Sequence, residues 1–295
     1  MPSPGLLLVD KPGGMTSHDV VARARRALGT RKVGHAGTLD PLATGLLILG
    51  VEGATRLLTF IVGLDKTYEA TIRLGVATDT DDADGRTVST ADASSLSAES
   101  IREAIGALTG RISQVPSTYS AIKVDGRRAY DLARAGEAVE LRARDVTVSR
   151  FDVRDERRSD GRIDLDVSVD CSSGTYIRSL ARDLGSALGV GGHLTVLRRT
   201  RIGAFRVADA AGIDAIAEHA LLSPAVAAAA VLGRFDVTAD EARDLRHGKR
   251  LTGAAGRLRA EPSAAIDPGG ALVGIVGARG DDVKSIMNMP EEASR

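Results

Sequence analysis

One ten-residue segment constrains the fold more than any other part of the sequence. From Arg162 to Cys171, polar and apolar residues alternate strictly, which predicts a β-strand with one buried and one solvated face. Cys171, the single cysteine, falls on the buried face, and we interpret it as a core thiol. A helix is predicted from about Thr175, with apolar residues at helical spacing: Ile177, Leu180, Ala181, Leu184 and Leu188.

Strand and helix patterns mix irregularly along the rest of the chain. Helices are predicted from Thr16 or Ser17 to Leu28 and after Ser97, and Asp125-Gly126 predicts a hairpin turn. Short strands are predicted over residues 5–9, 46–49, 67–74, 194–197 and 205–207. This order favours an α+β fold with a mixed, mostly antiparallel sheet over a doubly wound parallel sheet.

The composition changes over residues 224–233, first to alanine and then to glycine. Beyond this point Thr238 and Glu241 have the spacing of a helix capping box, and short apolar runs such as 271–276 indicate strands. We therefore predict a large domain over residues 1–232 and a small β-rich module over residues 233–295.

The charge balance does not identify a partner, because 39 basic residues match 39 acidic ones. Arginines nevertheless concentrate in residues 23–32 and 178–206, and acids in residues 79–84. This segregation fits a local basic surface, although scattered solvated charge is the favoured interpretation of this feature alone. A single cysteine excludes an internal disulfide and indicates a reducing compartment, so we expect a cytoplasmic protein. We see no secretory signal and no apolar run of the ~18 residues that suggest a membrane span.

The segment from Gly34 to Gly45 reads GHAGTLDPLATG and predicts a glycine-rich loop that leads into a buried strand. Pro41 disfavours the α conformation for Asp40 and holds it extended. A carboxylate on such a rigid loop suits a catalytic nucleophile or base. By chemistry alone, a turn aspartate bonded to its own backbone is an equally good interpretation.

This segment resembles the signature of the TruB family of tRNA pseudouridine-55 synthases, in which the aspartate is catalytic. Five more segments resemble family motifs in the same order: residues 8–17 (LVDKPGGMTS), 65–68 (DKTY), 78–85 (TDTDDADG), 116–123 (PSTYSAIK) and 171–178 (CSSGTYIR). The region after residue 232 is similar, in position and character only, to the family's PUA-type RNA-binding module.

The resemblance implies that the chain isomerises the uridine at position 55 in the T loop of tRNA. The base is detached from C1′, rotated and rejoined through C5. No electrons move in net, so we expect no cofactor, and the family uses no metal. Attack on C1′, attack on C6 and a glycal route all stay open as the order of steps.

The resemblance also assigns Asp40 as the catalytic residue and six residues as substrate-binding: Lys11, His35, Tyr68, Tyr176, Arg178 and Leu197. Tyr68 would stack on the flipped uracil, because an enzyme must extract its target base from the stack. His35 would brace the site that the base leaves, and Tyr176 with Leu197 would line the uracil pocket. Lys11 would contact RNA phosphate or brace the loop of Asp40.

Arg178 has a separate physical argument. It falls in the first turn of its predicted helix, where the helix dipole disfavours a cation and so suggests an anionic partner. Asp40 is the partner that the resemblance implies.

Two other functions stay open: an RNA-binding or RNA-folding protein without essential catalysis, and a synthase that acts on ribosomal RNA. The first of these functions can coexist with catalysis in a synthase that also assists tRNA folding. We expect tRNA as the partner of a monomer, no membrane association and no metal. An EF-hand loop with Gly85 at its sixth position would begin at Thr80 and end at Ala91; both positions require acidic ligands, which excludes that calcium site.

Overall fold

The computed structural model describes residues 2–119, 123–124, 126–128 and 141–290. These residues divide into two compact units. The first contains the residues up to Pro41, Gly45–Gly63 and the residues from Gly203 onward, and the second contains Leu42–Thr44 and Leu64–Ile202.

The N-terminal part of the first unit is a small mixed sheet. Strand β1 (Gly5–Lys11) pairs antiparallel with β3 (Thr44–Val51) and parallel with β14 (Ala211–Gly212). Strand β2 (Val33–Ala36) pairs antiparallel with β3. Residues 34–36 therefore belong to a strand, and the prediction that they lie in a loop is wrong. The apolar ends of β2, Val33 and Ala36, are buried and hold it to the sheet.

Helix α1 (Ser17–Ala27) confirms the predicted helix start. Thr16 is its N-cap, and Thr16 and Asp19 form a reciprocal capping box that satisfies amide groups at the helix start. The apolar residues Val20, Val21 and Ala24 of this helix are buried.

Short elements complete this part of the unit: α2 (Leu58–Val62), β13 (Phe205–Arg206), α5 (Pro224–Leu232) and 3₁₀ turns at Glu52–Leu57, Val207–Asp209 and Ile213–Ala215. The strand predicted over residues 205–207 ends at Arg206, because Val207 begins a 3₁₀ turn.

The C-terminal residues of the first unit form a four-stranded sheet with its own apolar core. Its strands, in sheet order, are β15 (Arg234–Asp236), β16 (Ser263–Ile266), β17 (Leu272–Arg279) and β18 (Asp282–Asn288). Helix α6 (Ala239–Arg246) starts at the predicted Thr238–Glu241 capping box, and a 3₁₀ turn spans Ala255–Arg257. Phe235, Leu245 and Val273 belong to the core. The small β-rich module is confirmed, whereas its boundary at residue 232 and its PUA-like character stay predictions.

The second unit is built on an antiparallel sheet. Its strands are β4 (Lys66–Leu74), β7 (Gly110–Gln114), β10 (Arg144–Ser159), β11 (Arg162–Cys171) and β12 (Gly192–Ile202), in the order β12-β4-β11-β10-β7. All neighbours in this order are antiparallel. The alternating segment is β11, and its apolar residues are buried as predicted. The α+β fold with a mixed, mostly antiparallel sheet is confirmed.

Helices and two hairpins complete the described part of this unit. Helix α4 (Ile177–Ala187) packs on β12 and contacts β4 and α3 (Ala98–Ala107), which Ser97 caps as predicted. Helix α4 begins two residues later than the predicted Thr175. The hairpins are β5 (Val76–Thr78) with β6 (Thr87–Thr90) and β8 (Lys123–Val124) with β9 (Arg127–Arg128). The second confirms the hairpin predicted at residues 125–126, of which Asp125 lies outside the described residues.

Candidate active site

Asp40 lies half-buried in the loop of residues 37–43, which connects β2 to β3. The residue before it is held by Ser17, the first residue of α1. The buried Ser17 hydroxyl accepts a hydrogen bond from the Leu39 N–H at 2.9 Å and donates one to the Leu39 carbonyl at 3.2 Å. One side chain thus fixes both polar backbone groups of the residue next to Asp40.

The residue after Asp40 is held by the last residue of β1 and by the segment that follows it. The Lys11 Nζ donates to the carbonyls of Met15 at 2.6 Å, Pro12 at 2.9 Å and Pro41 at 3.3 Å. The Gly14 N–H donates to the same Pro41 carbonyl at 2.9 Å. Lys11 is 0% exposed, so of its two expected roles the bracing of the loop agrees with the structure and a direct phosphate contact does not.

His35 lies in β2, opposite Leu49 of β3. Its ring meets the ring of His18 edge to face, with centroids 5.4 Å apart and an interplanar angle of 84°. His18 was missed by the sequence interpretation, although it directly follows the motif at residues 8–17. The two histidines and Asp40 belong to the first unit.

Tyr68 and Leu197 lie on one face of the sheet in the second unit. Tyr68 of β4 is opposite Arg199 of β12, and Leu197 is opposite Ala70 two residues further along β4. Residues opposite each other and residues two apart share a face of the sheet. This shared, buried face is what two residues of one uracil pocket require.

The same face carries two buried cations. Lys66 lies two residues before Tyr68 on β4, so it shares the face of Tyr68, and Arg199 is 1% exposed. Burial, with the nearby Arg199 charge as a smaller cause, lowers the pKa of Lys66 to about 8. The sequence interpretation grouped Arg199 with the other arginines of residues 178–206, whereas the structure buries it.

Tyr176 and Arg178 begin helix α4. Tyr176 is the N-cap, and Arg178 follows in the first turn, where it is 4% exposed. The Arg178 guanidinium donates to the Thr80 carbonyl at 3.0 Å, the Ser117 hydroxyl at 3.1 Å and the Tyr119 carbonyl at 2.8 Å. Arg178 therefore ties two separate loops to the start of the helix.

The structure places an anion beside Arg178. The Asp82 carboxylate lies 3.6 Å from the Arg178 Nε, and both side chains are almost fully buried. Asp82 meets the expectation of an anionic partner for a cation in the first turn of a helix. The pairing of Arg178 with Asp40 stays a prediction.

The arginines of residues 178–206 do not form one basic surface. Arg178 and Arg199 are buried, and Arg182 lies 3.5 Å from Asp81 and 2.8 Å from Asp183. The acidic loop thus supplies counter-ions for the basic helix, and the segregation seen in the sequence disappears in the fold. Arg198 and Arg201 stay partly exposed and Arg206 is exposed, so these three remain candidates for phosphate contacts.

Within the described part of the chain, no three His, Cys, Asp or Glu side chains are grouped closely enough to hold a metal ion. Cys171 is buried in β11, and burial raises the pKa of its thiol to about 11. None of the helices found in the described ranges has the length and apolar character needed to cross a membrane.

Three family descriptions match successive parts of the chain. Residues 25–177 match the TruB family pseudouridylate synthase N-terminal domain. Residues 178–232 match the tRNA pseudouridylate synthase B C-terminal domain, and residues 232–290 match the C-terminal part of tRNA pseudouridine synthase II.

Similar proteins agree with these matches. The tRNA pseudouridine synthase B of Leifsonia xyli subsp. xyli is 57% identical over 293 residues, which cover 98% of this chain and 97% of the relative. The protein of the same name from Mycobacterium avium is 58% identical over 256 residues, 86% of this chain and 83% of the relative.

Solved structures share the fold. A chain in the structure of an H/ACA RNP bound to a substrate RNA containing 2′-deoxyuridine superposes with a TM-score of 0.73 at 25% identity, covering 97% of this chain and 85% of that chain. A chain in a Cbf5-Nop10-Gar1 complex gives a TM-score of 0.68 at 24% identity, covering 98% and 84%. A family description that spans half of the sequence, and relatives of this identity over nearly all of it, show that the chain belongs to the TruB family of pseudouridylate synthases.

Proposed function

We propose that this chain converts the uridine at position 55 in the T loop of tRNA to pseudouridine, with Asp40 as the catalytic group. The observation that carries the proposal is the clamp on the Asp40 loop. Ser17 fixes Leu39, and Lys11 with Gly14 fixes the carbonyl of Pro41. Both neighbours of Asp40 are thus held in place by the segment 8–17, in a chain whose relatives are named tRNA pseudouridine synthase B.

The proposed reaction balances without a redox partner. The glycosidic bond between N1 and C1′ breaks, the uracil rotates, and a bond forms between C5 and C1′. The proton on C5 leaves and N1 gains a proton, so the sum of atoms is unchanged. A clamped carboxylate serves this chemistry as a nucleophile at C1′ or C6, or as a base at C2′, because a fixed geometry removes part of the entropic barrier. No metal or organic cofactor is required by these steps.

The uracil is held, in this proposal, by residues of the second unit. Tyr68 stacks on the flipped base, since an aromatic ring is the usual platform for an unstacked base. Leu197 shares its buried face, and Tyr176 lines the pocket from the start of α4. Arg178 keeps the loops at Thr80 and Ser117 in place beside this helix start.

The remaining parts of the proposal concern the partner and the setting. The partly exposed arginines of β12 contact the phosphates of the T stem-loop, and His35 braces the space that the base leaves. The four-stranded C-terminal sheet acts as a PUA-like RNA-binding module. The protein works in the cytoplasm as a monomer.

The proposal is tested by mapping pseudouridine in defined RNAs after incubation with the protein. The RNAs are a full tRNA, its isolated T-arm hairpin, a hairpin with cytidine at position 55, and a ribosomal RNA fragment. Carbodiimide-dependent primer-extension stops are expected at position 55 of the first two RNAs alone. Stops in the ribosomal fragment and not in tRNA would support a ribosomal RNA synthase. Tight binding without any stop would support a protein that only binds RNA.

A further inference from the structure

Helix α4 begins without the usual local cap. Its N-cap is Tyr176, whose side chain makes no capping hydrogen bond, whereas Ser, Thr, Asp and Asn are the residues preferred there. Ser179, at the third position of the helix, has a buried hydroxyl with no hydrogen-bond partner among the described residues. Neither residue that normally builds a capping box therefore builds one here.

One half of a capping box is supplied by Gln114, the last residue of β7. Its Oε1 accepts a hydrogen bond from the Tyr176 N–H at 2.8 Å, and its Nε2 donates to the Tyr176 carbonyl at 3.1 Å. In a capping box, a Glu or Gln three residues along the helix reaches back to the N-cap N–H. Here the amide comes from a strand 62 residues earlier, and it holds both polar backbone groups of the N-cap residue.

Gln114 is itself held rigidly. It is 2% exposed, and it is paired with Arg144 of β10 in the antiparallel ladder. A buried amide needs hydrogen-bond partners, and Tyr176 supplies one for the amide oxygen and one for the amide nitrogen. The backbone of Tyr176 is therefore fixed against the edge of the sheet, which sets the direction of its Cα–Cβ bond.

The residue type at position 176 gives a reason for the hydrogen bonds between Gln114 and the backbone of Tyr176. A serine or aspartate there would cap the helix locally, so a tyrosine gives up about 1 kcal/mol of capping for a side chain with another purpose. Local rules are broken in this way mainly at functional sites, with compensation from elsewhere in the fold. Gln114 compensates in part, because it binds the N–H and the carbonyl of the N-cap residue itself.

We infer that Gln114 is a positioning residue that holds the ring of Tyr176 in place against the substrate base. The inference rests on the proposed function, in which Tyr176 lines the uracil pocket. Gln114 does not touch the RNA in this account, and it acts only through Tyr176.

The first test compares Gln114→Met with Ile112→Met. Methionine matches glutamine in size and removes both hydrogen bonds, and Ile112 is half-buried on the same strand and face without a bond to Tyr176. With a T-arm hairpin, Gln114→Met is expected to lower kcat by about 10-fold or more through misplacement of the ring, and to leave the Kd for RNA within about threefold. Ile112→Met keeps kcat within about twofold. Wild-type kcat in Gln114→Met would overturn the inference.

A double-mutant cycle separates positioning from general stabilisation. In a Tyr176→Leu background, Gln114→Met is expected to cause no further loss of kcat, because the side chain through which it acts is gone. An equal loss in both backgrounds would show that Gln114 acts through the fold as a whole and would overturn the inference. If Gln114→Met does not fold, Gln114→Glu takes its place. It has the same size and keeps only the acceptor, so a partial loss of kcat is expected and full activity would overturn the inference.

The two proposals fail in different ways. A wild-type protein without turnover would refute the proposed function. The effect of Gln114 on Tyr176 is then tested by ¹⁹F NMR of protein labelled with 3-fluorotyrosine. The chain has four tyrosines, and the resonance missing in Tyr176→Leu identifies Tyr176. Gln114→Met is expected to shift or broaden that resonance more than the other three. An unchanged Tyr176 resonance would overturn the inference whatever the activity.

Discussion

Replacement of Ser17 with alanine isolates the clamp on the catalytic loop. Ser17→Ala removes the acceptor of the Leu39 N–H and the donor to the Leu39 carbonyl, and Leu39 is itself buried. A buried backbone group that loses its partner lowers the free energy of unfolding by about 1–3 kcal/mol. The better helix propensity of alanine offsets less than about 1 kcal/mol of this loss. We therefore expect the free energy of unfolding to fall by about 1–3 kcal/mol, and Tm by about 3–10 °C.

The effect on catalysis is expected to be larger than the effect on folding. Release of Leu39 lets the adjacent Asp40 move, and a displacement of about 1 Å at a reacting group can cost about 100-fold in rate. The kcat for a T-arm hairpin should fall by about 10- to 100-fold at a temperature well below Tm. The Kd for the RNA should stay within about threefold of wild type, because affinity comes mostly from phosphate contacts.

Ser179→Ala is the matched control. Ser179 is also a buried serine in the first turn of a helix, but its hydroxyl has no partner among the residues that the structure describes. Its removal is expected to leave Tm unchanged or slightly raised, with kcat within about twofold of wild type. If Ser17→Ala and Ser179→Ala have the same kcat and the same Tm, the clamp does not position Asp40 and the reasoning is refuted.

Three further predictions follow from the surface, the thiol and the absence of a metal requirement. Arg198→Ala and Arg201→Ala should weaken RNA binding, and at least one should flatten the log–log salt dependence of Kd by about 0.7, the value for one phosphate of a single strand; an unchanged slope in both would refute these contacts. Cys171 should resist iodoacetamide in the native protein at pH 8 and react fully in denaturant, and fast native labelling would contradict its burial. Because folding raises the pKa of that thiol from 9.0 to about 11, its ionisation should favour the unfolded chain above about pH 9 and leave stability unchanged below it. A pre-folded T-arm hairpin should be modified equally fast in excess EDTA, and a large loss restored by zinc or magnesium would contradict metal-free catalysis.

Elements whose pattern is local were predictable from the sequence. The helix start at Thr16, the capping box at Thr238 and the alternation of β11 each depend on residues that are close in the sequence, and the structure has all three. Strand β10 was not found, because most of its residues are exposed and charged and it is held by pairing with β11 and β7. Strand β2 was hidden for a similar reason, since its glycine and histidine suggest a loop until β3 pairs with it.

The candidate site shows the same difference between features set by adjacent residues and features set by residues distant in the sequence. The motif around Asp40 and the position of Arg178 in a first helical turn could be found from the sequence, because each depends on adjacent residues. The bond of Gln114 to Tyr176 and the ion pair of Asp82 with Arg178 join residues 62 or more positions apart, and no local pattern reports them. The clusters of like charge in the sequence do not form one basic surface for the same reason: Asp81 and Asp82 lie beside Arg182 and Arg178 in the fold.

Release of the C5 hydrogen of uracil tests the catalytic role of Asp40 most directly. Formation of the bond between C1′ and C5 must expel that hydrogen, so tritium at C5 of the T-loop uridine passes to solvent in each turnover. Asp40→Asn keeps the size of the side chain but loses its charge and basic lone pair, and it should bind the T-arm hairpin within a few-fold of wild type. Wild type is expected to release the tritium, and Asp40→Asn to release it at least ~10²-fold more slowly. Tritium release by Asp40→Asn near the wild-type rate would contradict the account.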